Sequence, residues 1–149
     1  MAPSIQVDLA DGSVKLFELG LVIYRGMNEA NVKAMLSQFW TGATDHGNGY
    51  SWSSFHGLTF GTMPCGLALG FHEGVLTEIH LGVVLPQAMR EGGWPTRQAI
   101  DDEITFVRKV FHDQLKREFG DNPEYFEWGI AWSGFDPKGF TASAVIRYR

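Results

Sequence analysis

The stretch Pro64–Leu85, PCGLALGFHEGVLTEIHLGVVL, constrains the fold of this chain more than any other. Leu67, Leu69 and Phe71 alternate along one arm, and Val75, Thr77, Ile79, Leu81, Val83 and Leu85 along the other, with His72-Glu73-Gly74 between them. Alternation of this kind marks two strands, each with one buried face. A two-residue Glu-Gly turn would set Phe71 against Leu76 and Leu69 against Glu78. That register mixes the faces, because a slip of one residue inverts every side chain. The spacing therefore predicts a three-residue turn with Gly74 at positive φ, pairing Phe71 with Val75, Leu69 with Thr77 and Leu67 with Ile79. One face of the hairpin is then apolar and ready for a helix, while Ala68, Gly70, Glu78 and His80 share the other.

Around this hairpin the chain alternates between short extended runs and two helical stripes. Ser4–Leu9 and Ser13–Leu19 flank Ala10-Asp11-Gly12, and Asp-Gly between such runs signals a hairpin. Leu19–Tyr24 either continues the second run or begins a third strand. Asn28 is a suitable N-cap for a helix carrying Val32, Met35, Leu36 and Phe39 at i, i+3, i+4 and i+7, a three-turn stripe that Gly42 would stop. Thr41–Gly49 reads as a polar, glycine-rich loop and Tyr50–Thr62 as one or two strands.

After Pro86 ends the hairpin, Gln87–Trp94 reads as a flexible connection. Pro95 and Thr96 introduce a long helix whose Ile100, Ile104, Val107, Phe111 and Leu115 form one stripe, with Gly120 and Pro123 as its stop. Asp101, Asp102 and Glu103 near its start suit the helix dipole, as do Lys116 and Arg117 near its end. Two final strands, Tyr125–Trp132 and Phe140–Tyr148, place Trp128, Ile130 and Trp132 on one face of the first. Many antiparallel runs and only two helices predict an α+β fold: a mostly antiparallel sheet with both helices packed on one face.

At 149 residues the chain is expected to form a single domain spanning 1–149. Its 44% apolar and 19% charged content excludes disorder as the default. A net charge of −5 opposes nucleic-acid binding, which needs clustered Lys and Arg. No run reaches the roughly 18 apolar residues of a membrane span, and the start MAPSIQVDLADG lacks the basic-then-apolar order of a signal peptide. The single cysteine, Cys65, rules out an intrachain disulfide and suits a reducing compartment, so the cytoplasm is the expected location. Nothing in the pattern excludes a homo-oligomer.

Five histidines invite a search for metal ligands. Glu78 and His80 would share a strand face, but His56, His72 and the Asp45-His46 pair supply no recognisable remaining ligands, so no metal and no cofactor is expected. Cys65 falls in the apolar phase of its strand and reads as a core residue, leaving no catalytic residue assigned. Gly92-Gly93 precedes a helix without the Lys-Ser/Thr of a phosphate loop. The candidate binding residues are instead Trp94, an aromatic without periodic partners, its neighbours Arg90 and Glu91, and Asp45 in the second polar loop. Aromatic and arginine side chains dominate interface hot spots, and loops on a rigid sheet are where binding residues concentrate.

The segment LGFHEGVLTEIHLGV joins an apolar strand, an acidic-Gly turn and a V-L-x-x-I-x-L strand. With the ending EWGIAWSGFDPKGFTASAVIRY, including Trp128-Gly129, Asp136-Pro137-Lys138-Gly139 and Tyr148, it resembles small α+β immunity proteins that bacteria carry against their own secreted toxins. The resemblance implies a non-catalytic protein that binds a cognate toxin or effector and occludes its active surface. It transfers no site residues. The residues themselves leave a second class open: a small enzyme or ligand-binding domain with a pocket between sheet and helices, for which a deep pocket joining His56, His80 and Glu78 would speak.

Overall fold

The computed structural model describes residues 2–86 and 90–149, Arg90 by its backbone alone. In chain order the first elements are β1 (Ile5–Val7), β2 (Val14–Leu16), β3 (Leu21–Ile23), α1 (Glu29–Met35), β4 (Trp40–Asp45), β5 (Tyr50–Phe60), β6 (Met63–His72) and β7 (Val75–Val83). Then come β8 (Arg90–Glu91), β9 (Trp94–Pro95), α2 (Arg97–Leu115), β10 (Glu124–Phe126), β11 (Gly129–Asp136) and β12 (Thr141–Tyr148). Seven strands form one antiparallel sheet in the order β10-β11-β12-β7-β6-β5-β4, while β1-β2-β3 and β8-β9 form two smaller ones. The fold is α+β and mostly sheet, with the predicted hairpin in the middle of the large sheet.

The turn of that hairpin corrects the predicted register. His72 pairs with Val75 across a two-residue Glu73-Gly74 turn, both at positive φ, and Phe71 pairs with Leu76. A bulge between Gly70 and Phe71 then takes up one residue, so that Gly70 meets Glu78, Leu69 meets Ile79 and Leu67 meets Leu81. The bulge restores the phase that the short turn would have inverted. Leu76 and Ile79 both reach the core, and Ala68 and Gly70 stand beside His80 and Glu78 on the other face.

That core lies on one side of the large sheet. Phe55, Leu58 and Phe60 of β5, Leu67 and Leu69 of β6, and Ile146 of β12 join Val32 and Leu36 from the α1 region and Val107, Phe111 and Leu115 of α2 in one cluster. The three-stranded sheet closes the cluster and is tied down by side chains. Gln114 of α2 accepts from the Val7 N–H and donates to the Ile5 carbonyl, Trp128 Nε1 donates to Leu9, and Tyr148 Oη donates to Gly12.

Four local expectations change. Asn28 caps α1 as predicted, its side chain accepting from Ala30 and Asn31, but the helix ends at Met35; Ser37–Phe39 form a 3₁₀ turn. Thr41–Gly49 is not a loop: residues up to Asp45 form β4, an edge strand exposed on nearly every residue and so without apolar alternation. At the end of α2, Lys116 adopts the left-handed conformation well before Gly120, and the chain folds back to set Phe119 against Phe111. Trp128 occupies the β10–β11 turn, stacked on Phe126, rather than sharing a strand face with Ile130 and Trp132.

Candidate partner-binding surface

Part of the expected flexible connection Gln87–Trp94, residues 87–89, lies outside the described residues; the rest forms a small hairpin. Arg90 pairs with Pro95 and Glu91 with Trp94 across Gly92-Gly93, whose φ values of +59 and +84 require residues without a Cβ. In this turn Trp94 is 68% exposed, with Glu91 exposed beside it. The side chain of Arg90 lies outside the described residues.

Trp94 stands over a cleft of about 340 Å³ between the hairpin, the end of β7 and the first turns of α2. Val84 and Leu85 line one wall, Trp94 and Pro95 another, and Ala99 and Glu103 the helical wall. Ala99 and Glu103 are one turn apart and therefore share a helix face. Glu103 Oε2 accepts from the Val83 N–H at 3.3 Å, and its carboxyl is pushed up by burial, which that hydrogen bond offsets in part. Among the described residues no cation pairs with it.

The same end of the sheet carries further exposed apolar groups. Val84 is 61% exposed, and Thr141 joins it in the cleft. Next to Thr141, Phe140 is held at φ +47, half exposed, its ring edge-on to Phe135 at 5.5 Å. The Arg97 guanidinium lies 3.9 Å above Phe135. A bulky side chain at positive φ is a strained choice.

Asp45 lies elsewhere. It pairs with Ser51, which pairs with Phe71, and its side chain accepts from the Gly47 N–H at 2.8 Å. This is level with the start of β7, three strands across the sheet, whereas Trp94 lies past its other end, eight strand steps or about 26 Å along the strand. The two expected loops therefore present separate surfaces.

The face of the large sheet turned away from the core has its own concavity, of about 420 Å³, with Gly66, Ala68 and Gly82 in its floor and His56 and His80 in its walls. His80 Nε2 lies 2.9 Å from Glu78 Oε2, which Arg147 approaches at 3.5 Å. The His80 contact holds the Glu78 carboxyl below its ordinary value, against the opposing effect of burial. Trp52 packs edge-on to His80, over Gly70, where a Cβ would fall 3.0 Å from the indole. Glu78 positions His80 but does not line the concavity, which is open rather than deep. His72 stacks on Tyr50 at the far end of the sheet, and His46 is exposed. Among the described residues no three His, Cys, Asp or Glu side chains are grouped to hold a metal ion. Cys65 is buried and its thiol is pushed up to about 12, so little thiolate exists at neutral pH.

No family model and no curated protein matches the sequence. The fold does have a solved counterpart. It resembles a chain of the structure of Rhs1-CT in complex with the cognate immunity protein RhsI1, at a TM-score of 0.55 and 15% identity. The likeness covers 97% of this chain and 87% of that one, so it concerns the whole architecture and not one hairpin.

Glu103 is the surface residue that reading the acidic run as dipole compensation overlooked. Asp101 does pair with Arg97 and Asp102 with Gln98 on the outside of the helix. Glu103 instead falls in the i, i+4 row Ala99, Glu103, Val107, Phe111 and Leu115, whose other members are all buried and apolar. A lone carboxylate in an apolar row was the available signal.

Proposed function

We propose that this chain is an immunity-type protein that binds a cognate toxin or effector and occludes its active surface. The observation that carries this reading is the end-to-end likeness to a chain from the Rhs1-CT complex with its cognate immunity protein. The surface at the end of β7 supports it. Exposed Trp94 and Val84 line one cleft, and acidic Glu91 pairs with Trp94 in the hairpin, the composition of a protein-binding site. Glu91 pairs with Trp94 across the hairpin, Arg90 precedes it in sequence, and Asp45 contributes to a second contact only if the partner spans β7. A net charge of −5 speeds encounter with a basic partner and disfavours nucleic acid. No described helix is long and apolar enough to cross a membrane, and the cytoplasm is the proposed place where this chain meets its toxin.

A direct binding measurement tests this. The effector domain encoded by the adjacent gene, purified and titrated with this chain, should form a stable complex with sub-micromolar Kd. No complex at micromolar concentrations of both proteins would reject the reading. A second reading rests on the His56–His80 concavity, with Glu78 orienting His80: a ligand-binding or catalytic site on the open sheet face. Loss of toxin protection in a folded His80→Ala variant whose toxin affinity is unchanged would favour it.

A further inference from the structure

We infer that the cleft under the Trp94 hairpin is a socket for a lysine or arginine side chain presented by the partner protein. The inference rests on the immunity-type reading for the partner's identity, and on the cleft itself for the chemistry. Its walls are largely apolar, with Val84 and Leu85 just past β7 and Pro95 and the Trp94 indole on the hairpin, and Thr141 as a polar member. At its helical wall sits one carboxylate, Glu103, bonded to the Val83 N–H and to no described cation. The neighbouring acids differ in this respect, since Asp101 has Arg97 and Asp102 has Gln98.

The structural task of Glu103 does not require a charge. A glutamine carbonyl at the same place would also accept the Val83 N–H, by a weaker neutral bond. An ionised group in a row of buried apolar residues costs desolvation, and burial raises its pKa for that reason. A partner cation removes the penalty by supplying the missing counter-charge. Long basic side chains match the rest of the cleft: their methylene stems cover apolar walls, and their heads reach a carboxylate while lying against an indole face. Ala99, one turn before Glu103, lines the same cleft with a small side chain. The net charge of −5 further favours a basic partner.

Two arms test the proposal and separate its failure from that of the function. In the first, N-acetyl-arginine amide and N-acetyl-lysine amide are titrated into the intact chain, and the Trp94 indole N–H resonance is followed with N-acetyl-norleucine amide as neutral control. The expected result is a saturable shift with the basic amides that disappears in Glu103→Gln while that variant melts at or above the wild-type temperature. No shift, or an equal shift with norleucine amide or in Glu103→Gln, overturns the socket whatever the partner proves to be. A shift that appears only in Arg90→Gln makes the occupant an arginine of this chain and also overturns it. In the second arm, Glu103→Gln should weaken binding of the adjacent-gene effector domain at least tenfold. Unchanged affinity in a folded variant refutes the partner-side claim, and absence of any binding by the wild type refutes the immunity reading alone.

Discussion

Replacing Phe111 by alanine tests the way the long helix is seated on the sheet. Phe111 is fully buried, its ring edge-on to Phe60 at 5.8 Å and tilted against Phe119 at 5.2 Å. Losing the transfer energy of a buried phenyl group costs about 2–3 kcal/mol. Aromatic geometry adds about 1 kcal/mol, and a cavity that the surrounding strands fill only in part adds about 1 more. The expected loss is about 4–5 kcal/mol, at the upper end of measured Phe→Ala truncations. At about 2–4 °C per kcal/mol for a chain of this size, the melting temperature should fall by roughly 8–20 °C. Urea unfolding followed by tryptophan fluorescence gives the value directly, with the slope m unchanged if the unfolded state is unaffected. A loss below about 1 kcal/mol would refute the packing of α2 through its Val107–Phe111–Leu115 row.

Trp94→Ala should weaken effector binding by about 2 kcal/mol, roughly 30-fold, without lowering the melting temperature, because the indole is mostly exposed; intact affinity would remove this residue from the interface. Two carboxylates should behave oppositely on acidification. Glu103, pushed up by burial, costs stability when ionised, so Glu103→Gln should be the more stable protein at neutral pH and lose that advantage as pH falls through the wild-type group's raised value. Glu78, held down chiefly by His80, contributes stability above its unfolded value near 4.5 that is lost as pH falls through its lower folded value, so Glu78→Gln should flatten the acid limb of the stability profile. The Cys65 thiol, buried and pushed up to about 12, should react with an aromatic disulfide at pH 8 only after urea unfolds the chain.

Much of the fold is legible in local pattern. The arms of the central hairpin, the Asn28 cap and the stripe of the long helix follow from alternation, capping chemistry and 3.6-residue periodicity. The turn is not legible because rigid alternation has no place for a bulge, and the extra residue at Thr77 is visible only once strand pairing is known. β4 was invisible for a different reason. An edge strand exposed on both faces needs no apolar phase, and its backbone is held by pairing with β5 rather than by burial. At the candidate site, Trp94 stood out as an aromatic without a periodic partner. What surrounds it did not: Val84 just past β7, Thr141 at the start of β12 and Glu103 from α2 meet only through tertiary packing.

Growth of cells producing the adjacent-gene effector, with and without this chain, tests the central claim most directly. The account predicts that the effector alone arrests growth, that co-expression of this chain restores it, and that Trp94→Ala restores it less well at equal abundance. A chain that leaves the arrest unchanged, or is itself toxic when produced alone, would contradict the account.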